Sequence, residues 1–443
     1  MSARGTIAVI GGGMAGTAAA YRMKKSGFQV TIFEMRDRVG GRMWSLQKGD
    51  FLMDVGMSAY LGTYREAIAL IKEVGLFGEM SDLPAIGATM RGDKRYHFDY
   101  GKPISTALST SIISWPSKIK AIKMLLDTYK NRASLGYSDY TKLADIDVET
   151  VKEYCSRALN DELRRYVGQP LVSGTWVAND EDTSVALLFW TIRNMLAPSV
   201  YNLNRGVMSL PVKLAEHVEV KYNSPVQDVT NTGGRVEVTS NGATQSFDGA
   251  IIATTAEPAI AMYQQMDENT RDLYATTRYR KLGNIALGLR KRPNDRATYY
   301  LVAPYEDPDT VAVIADHVKA PCRAPEGKGL LTVLLSHEYL ERNTHRGDSD
   351  VLDYAFDRAR KYYPDISTDD LEQYNVVRWP ESVPVLNKGR FNKISNYTAR
   401  IDRSSRVQFA SDLDRIPGCN GALVSGQDAA QRLRDVLIRP NAC

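Results

Sequence analysis

Apolar positions along the chain follow two periods. Ile7-Ala8-Val9-Ile10 is an unbroken, largely β-branched run, the mark of a strand buried on both faces of a parallel sheet. An Ala-rich helical segment, Thr17 to Ser26, comes next, and Gly27 is its expected stop before a second strand, Phe28 to Phe33. Helical spacing returns from Tyr64 to Gly75, where Ala67, Ile68, Ile71 and Val74 share a face. From about Asp82 to Asp99 the pattern shortens to strands and turns. Between Ile104 and Arg132 it is helical again, with Ile119, Ile122, Leu125, Leu126 and Tyr129 on one face and Lys118, Lys120, Lys123 and Lys130 beside Trp115. Two short helices are expected within Asp147 to Arg165 and an apolar one from Ser184 to Met195. A helix from Val212 to His217 then precedes strands at Arg235 to Ser240 and Phe247 to Ala253, with turns at Asn231 to Gly234 and Asn241-Gly242. Longer strands and one helix, Ser349 to Tyr362, fill the next part. A strand from Val407 and a helix from about Gln427 to Leu437 close the chain.

The first of these elements carry chemistry. Gly11, Gly13 and Gly16 have the G-x-G-x-x-G spacing, between a strand and a helix. Gly11 permits the tight turn, Gly13 lets a pyrophosphate approach the backbone, and Gly16 lets helix pack on strand, with Met14 and Ala15 opening the helix toward the phosphates. The second strand ends in Glu34, where a carboxylate accepts hydrogen bonds from both ribose hydroxyls of an adenosine and repels a 2′-phosphate. This is a Rossmann-like cradle for an adenine dinucleotide. A second pair, Gly40-Gly41, followed by Arg42, offers another close backbone approach with a guanidinium, which suits the longer FAD better than NAD.

Glu34-Met35-Arg36-Asp37-Arg38-Val39-Gly40-Gly41-Arg42 resembles the E-x-x-x-R-x-G-G-R segment of the flavin-containing amine oxidase superfamily. Further on, Asp54-Val55-Gly56 is similar to a D-x-G near the flavin. Asn204-Arg205-Gly206 to Leu210-Pro211 resembles a G-G-x-x-x-L-P element with Arg205 at its first glycine. Val407 to Asp412 with Gly421-Ala422 to Gly426 resembles the closing A-G-D strand and G-A-x-x-S-G helix start, with Ser411 at the middle glycine. The resemblance implies an α/β fold: a discontinuous FAD-binding domain (1–80, 204–256, 395–443), a helical cap (81–203) and a substrate-domain sheet (257–394). It implies non-covalent FAD bound by Gly11, Gly13, Met14, Ala15, Gly16, Glu34, Met35, Arg36, Gly41, Arg42, Val226 through its main chain, Asp412, Gly421 and Ala422. Trp379, in a W-x-x-x-x-P element, is expected near the flavin ring, and Trp176, beside glycine and polar residues, as a better pocket candidate than Trp190.

Two departures bear on substrate. The lysine that many amine oxidases place near the flavin N5 falls at Asn284, with Lys281 as the alternative if the register slips. The aromatic wall of their amine cage falls at Gly418. The protoporphyrinogen oxidase and phytoene desaturase-like branch therefore fits better: an oxidoreductase that removes a hydride from a C–N or C–C bond of a mostly apolar small molecule. An amine oxidase with an altered cage and an isomerase without net redox change are the alternatives.

Bulk properties narrow the partners. With 43% hydrophobic and 24% charged residues, the 443-residue chain reads as a globular protein of two or three domains. A net charge of +4 without a long basic block argues against nucleic acid. Cys155, Cys322, Cys419 and Cys443 are widely spaced, form no metal-type pair and fit reduced thiols in a cytoplasm. The five histidines are scattered, and no metal site is expected. Arg4 ahead of an apolar run imitates a secretory leader, but those residues are needed by the cradle. A homo-oligomer is compatible with the sequence. For residues 104–132 the simpler reading is a packed helix with a solvated lysine face; the other is a peripheral membrane contact.

Overall fold

The computed structural model describes residues 4–84, 86–136, 140–195 and 199–438, so Cys443 lies outside the described residues. The run Thr6–Ile10 is the central strand of a five-stranded sheet in the order Glu219–Lys221, Gln29–Phe33, Thr6–Ile10, Gly249–Ile252, Val407–Phe409, with every pairing parallel. Burial on both faces explains its composition. Ile7 and Val9 pack with Ala15, Ala19, Ala429 and Leu433 of two helices, Met14–Lys25 and Cys419–Ile438. Ala8 and Ile10 face Val229, Val236 and Phe247 of a three-stranded antiparallel sheet, Val226–Asn231, Val236–Ser240 and Ala243–Phe247. The parallel sheet thus draws its strands from three separated stretches of chain.

A second, seven-stranded sheet runs in the order Leu371–Pro384, Tyr279–Leu289, Gly329–Leu335, Thr310–Ala315, Tyr299–Leu301, Ile86–Arg91, Lys94–Asp99. The hairpin at 86–99, expected in the helical region, belongs to this sheet. Ala88 and Met90 complete its apolar core with Tyr300 and Val313, and Gly92, at φ +57°, makes the turn. Helices Pro103–Ser109, Trp115–Lys130, Val151–Ala158, Gln169–Trp176 and Val185–Met195 build the cap. Thr150 and Glu153 form a capping box at the third of these. Among the described residues no helix is long and apolar enough to cross a membrane.

Three expectations change. The helix at Ser209–Ala215 starts before Val212, because Pro211 fits its first turn, where no N–H is required. The final helix starts at Cys419 rather than Gln427; Gly421 and Gly426 serve close packing instead of breaking it. The helix Trp115–Lys130 is seated the other way round from the packed-face reading. Its buried stripe is Ser117, Met124 and Thr128, while the apolar face points outward. Polar tethers replace apolar burial: Ser114 and Ser117 hydroxyls donate to Glu162 at 2.6 and 2.5 Å, and Tyr154 donates to Asp127 at 2.8 Å.

A side-chain carbon at Gly426 would stand 2.1 Å from the Ala15 carbonyl, so the two helices over the parallel sheet meet backbone to backbone. Gly426→Ala is expected to force them apart and cost about 1–3 kcal/mol, read as a lower midpoint in urea unfolding.

Candidate cofactor and active site

The glycines of the first turn divide by what surrounds them. Gly11 lies at φ +102°, and a side chain there would meet the Ala253 carbonyl at 2.6 Å; one at Gly16 would meet the Gly11 carbonyl at 1.9 Å. Both are demanded by the protein's own backbone. Gly13 is not: its φ is −73°, and an added carbon meets nothing within 4 Å. The absence of a side chain there keeps a space open. Gly41, at φ +56°, forms the facing wall, where an added carbon would stand 3.2 Å from the Gly13 Cα. Gly40 N–H donates to the Gly12 carbonyl at 2.8 Å and locks the two turns together. The helix ladder begins with Thr17 N–H on the Gly13 carbonyl, so the N–H groups of Met14, Ala15 and Gly16 are left to the open end.

Glu34 is buried at the end of the second strand. Its Oε2 accepts from Gly12 N–H at 2.7 Å and Oε1 from Arg36 N–H at 2.9 Å. Each oxygen keeps a second lone pair. Met35 and Arg36 are exposed at the side chain and structured at the main chain, where the Arg36 carbonyl accepts from Asn223 N–H and the Glu34 carbonyl from Ser224 N–H. That pairing brings half-buried Val226 to the same end.

Beyond Gly41 three chain segments converge. Arg42 donates to Asp412 Oδ1 at 2.9 Å and to the Ser382 carbonyl at 3.0 Å. Arg38 lies over Trp44 at 3.9 Å and donates to the Gly41 carbonyl. Burial and neighbouring Arg36 push its guanidinium down to about 10. Gly421 and Ala422 are in the first turn of the final helix, where a side chain at Gly421 would strike the Ile416 carbonyl at 2.1 Å. Arg205 is tolerated at a motif glycine because its side chain is 80% exposed, paired with Glu79, whereas Gly206 abuts Ser45. Ser411 uses its main and side chain locally, its N–H donating to Ser425 and its hydroxyl accepting from Leu413 N–H.

Asp54-Val55-Gly56 lies between this region and the large sheet. A side chain at Gly56 would strike the Arg42 carbonyl at 1.9 Å, and Trp379 Nε1 donates to the Val55 carbonyl at 2.6 Å. Asn284, 1% exposed, donates to the Asp54 carbonyl at 3.5 Å, and its Oδ1 has no partner. The Asp54 carboxylate is itself the centre of a buried cluster. It pairs with Arg323 at 2.9 Å and Lys319 at 3.1 Å, and accepts from Ser45 at 2.6 Å and Val207 N–H at 3.2 Å. Lys319 also pairs with Asp316 at 2.5 Å, so two cations balance two carboxylates. Burial alone would raise the Asp54 pKa, but Lys319 and Arg323 outweigh it and hold the carboxyl below its ordinary range. Burial alone would lower the Lys319 pKa, and Asp316 and Asp54 hold it above the ordinary lysine value.

Two expected residues lie elsewhere. Lys281 is three positions from Asn284 on one strand, hence on the opposite face, and is ion-paired with Glu341 at 2.6 Å. Trp176 lies in the cap, 6% exposed, donates to Thr191 at 2.8 Å and lies edge-on to Trp190 at 5.7 Å. Gly418 has φ +111°, and the nearest atom to a side chain there is the Tyr64 hydroxyl at 3.8 Å. Lys319 and Arg323 were missed by sequence reasoning. Their signal is an Asp-x-x-Lys step, Asp316 to Lys319, directly after the wholly buried strand Thr310–Ala315.

This geometry defines a class, two interlocked glycine turns at the carboxyl end of a parallel sheet, joined through Asp54-Val55-Gly56 to a second, mixed sheet. The family described as flavin containing amine oxidoreductase matches residues 14–434, and the chain belongs to it. It is a flavin-dependent oxidoreductase of the protoporphyrinogen oxidase-like branch. The chain is 22% identical to coproporphyrinogen III oxidase of Staphylococcus aureus (strain NCTC 8325 / PS 47), over 97% of this chain and 98% of that one. It is 20% identical to coproporphyrinogen III oxidase of Bacillus subtilis (strain 168), over 88% and 89%. Its fold is like that of cyclohexylamine oxidase from Brevibacterium oxydans IH-35A, with a TM-score of 0.77 at 17% identity, covering 98% of this chain and 100% of that one.

The residues present fit such a cofactor. A side chain at Gly13 would enter open space, and burial and Arg36 disfavour the charge on nearby Arg38, which an anion at this turn would favour. Gly13→Val is expected to leave apo-protein unfolding unchanged while weakening flavin binding about 10–100-fold, equivalent to about 1.5–3 kcal/mol. Titration of the apoprotein with flavin reads both effects apart.

Asp54→Asn is expected to cost about 3 kcal/mol or more near neutral pH by leaving buried cations under-compensated. A carboxyl whose folded pKa is depressed contributes stability above its unfolded value, near 3.9, and loses it as pH falls through the folded value. The gap in unfolding free energy between wild type and variant therefore narrows in acid, as urea titrations across pH would show.

Proposed function

We propose that the chain holds FAD non-covalently and oxidises a mostly apolar small molecule by removing a hydride from a C–N or C–C-bonded carbon, with oxygen or another acceptor completing the cycle. In this reading the N–H groups of Met14, Ala15 and Gly16 and the Gly13–Gly41 gap receive the pyrophosphate. Glu34 accepts from the ribose, the main chain of Val226 flanks adenine, and Arg42, Asp412, Gly421 and Ala422 close on the far end. When bound, the flavin supplies the hydride-accepting N5. Cys419 supports the non-covalent reading, since burial raises its thiol pKa and keeps it protonated and unreactive.

The observation that carries the substrate class is Asn284. A neutral amide, buried with an unpartnered oxygen, stands at the sequence position matched to the amine oxidases' lysine, and Lys281 is engaged on the other face. Trp379, anchored through its indole N–H, presents an aromatic surface beside it. Asn284 orients a substrate polar group through Oδ1, and Trp379 excludes water. The relatives' names make a porphyrinogen the first substrate to try. Tyr64, whose hydroxyl lies near Gly418, favours a second reading, an amine oxidase whose cage wall comes from another element.

The test is anaerobic mixing of the flavoprotein with coproporphyrinogen III and with a panel of primary amines, followed by a peroxide assay in air. Bleaching by the porphyrinogen without aldehyde or ammonia from the amines is the expected result. Amine turnover with those products would overturn it in favour of the second reading, and conversion of a substrate without net bleaching or peroxide would point to an isomerase.

A further inference from the structure

A cavity of about 300 Å³ opens at the outer edge of the parallel sheet, lined by the edge strand Val407–Phe409 and by Arg432 of the final helix. Arg432 stands eleven residues past Gly421, about 16 Å along the helix. The cavity is therefore separate from the glycine turns at the helix start.

Its lining combines aromatic walls with unbalanced charges. Tyr263, Tyr397 and Phe409 are buried, and both phenols are already engaged, Tyr263 by the Asn231 and Ser405 side chains and Tyr397 by Thr270. The rings are left as apolar walls. Arg432 donates through Nε to Gln408 Oε1 at 2.7 Å and through Nη2 to the Phe409 carbonyl at 3.0 Å. Among the described residues Nη1 has no hydrogen bond and no carboxylate pairs with the guanidinium. Gln408, 2% exposed, donates from Nε2 to the Asp402 carbonyl at 3.0 Å, so one buried amide holds Arg432 and Asp402 to either side. The exposed carboxylates of Asp402 and Asp267 accept from their own turns, at Ser404 and Thr270, and pair with no cation among the described residues.

A cation and an anion one amide apart, beside aromatic walls, match a zwitterion with a ring: carboxylate toward Arg432, ammonium toward Asp402, ring among Tyr263, Tyr397 and Phe409. An amine alone would leave Arg432 unbalanced, and a carboxylate alone would face two aspartates. We infer that this cavity is a second small-molecule site, for an aromatic α-amino acid, coupled to the cofactor. Phe409 packs edge-on to Tyr274 at 5.4 Å, and the Tyr274 hydroxyl lies 3.3 Å from Ser411 Oγ. The next residue, Asp412, pairs with Arg42 of the cradle. A ligand that fixes Phe409 steadies that chain of contacts, and by linkage the coupling is reciprocal.

The inference does not depend on the substrate reading, and its test uses the whole flavoprotein. Calorimetric titration with L-phenylalanine, 2-phenylethylamine and 3-phenylpropionate is compared for wild type, Asp402→Asn and Ile401→Trp, the last placing an indole in the cavity that Ile401 lines. Wild type is expected to bind phenylalanine saturably, at least about tenfold more tightly than either analogue, and each variant to lose at least about tenfold. Phenylalanine is also expected to slow flavin release on dilution of the wild type. Thermal unfolding and flavin content serve as folding controls. Absence of saturable binding overturns the inference, as does an analogue that binds as tightly as phenylalanine, or a correctly folded tryptophan variant that binds as well as wild type. A flavin release rate that phenylalanine leaves unchanged overturns the coupling. Anaerobic bleaching by phenylalanine overturns the second site, because the amino acid is then a substrate at the catalytic one.

Discussion

The buried carboxylate of Asp54 is the constraint on which the site depends. A lone carboxylate in the interior would be prohibitively desolvated, so it must draw cations from elsewhere in the chain. Lys319 and Arg323 come from the turn after the strand Thr310–Ala315, and Asn202 and Val207 from the return to the parallel sheet. One anion thereby ties together stretches more than a hundred residues apart. The adjoining Val55 and Gly56 are then held against Trp379 and Arg42.

The cradle works by a complementary device, the removal of side chains. Gly11, Gly16, Gly421 and Gly426 let backbone meet backbone, which packs strand, turns and two helices at distances no Cβ would permit. Gly13 alone among these borders empty space. In the proposed reading, that open side is where the phosphates approach the backbone.

Legibility followed the range of the interactions. The strand–turn–helix–strand unit from Thr6 to Glu34 was readable because its elements are neighbours in sequence and its glycines have local duties. Asn284 is buried against the Asp54 carbonyl, a contact between residues 230 apart that no local pattern announces. The direction of the Trp115–Lys130 helix was not readable. A helical wheel shows an apolar stripe, but the seating stripe of Ser117, Met124 and Thr128 is chosen by Glu162 and Tyr154, which lie in other elements. The partners of Trp176 show the same limit: Thr191 and Trp190 lie on another helix of the cap, and its sequence neighbours do not name them.

The sequence by itself determined the strand–turn–helix–strand unit and the family, since both rest on spacing within short windows: three glycines, an acidic residue at the next strand's end, and a second glycine pair with arginine. Tertiary structure alone decided which charges neutralise Asp54, that Lys281 turns away to Glu341, and that the cap exposes an apolar face. Those outcomes are set by which distant side chains share a low-dielectric volume or a helix face, and strand alternation and helix period do not specify that partner.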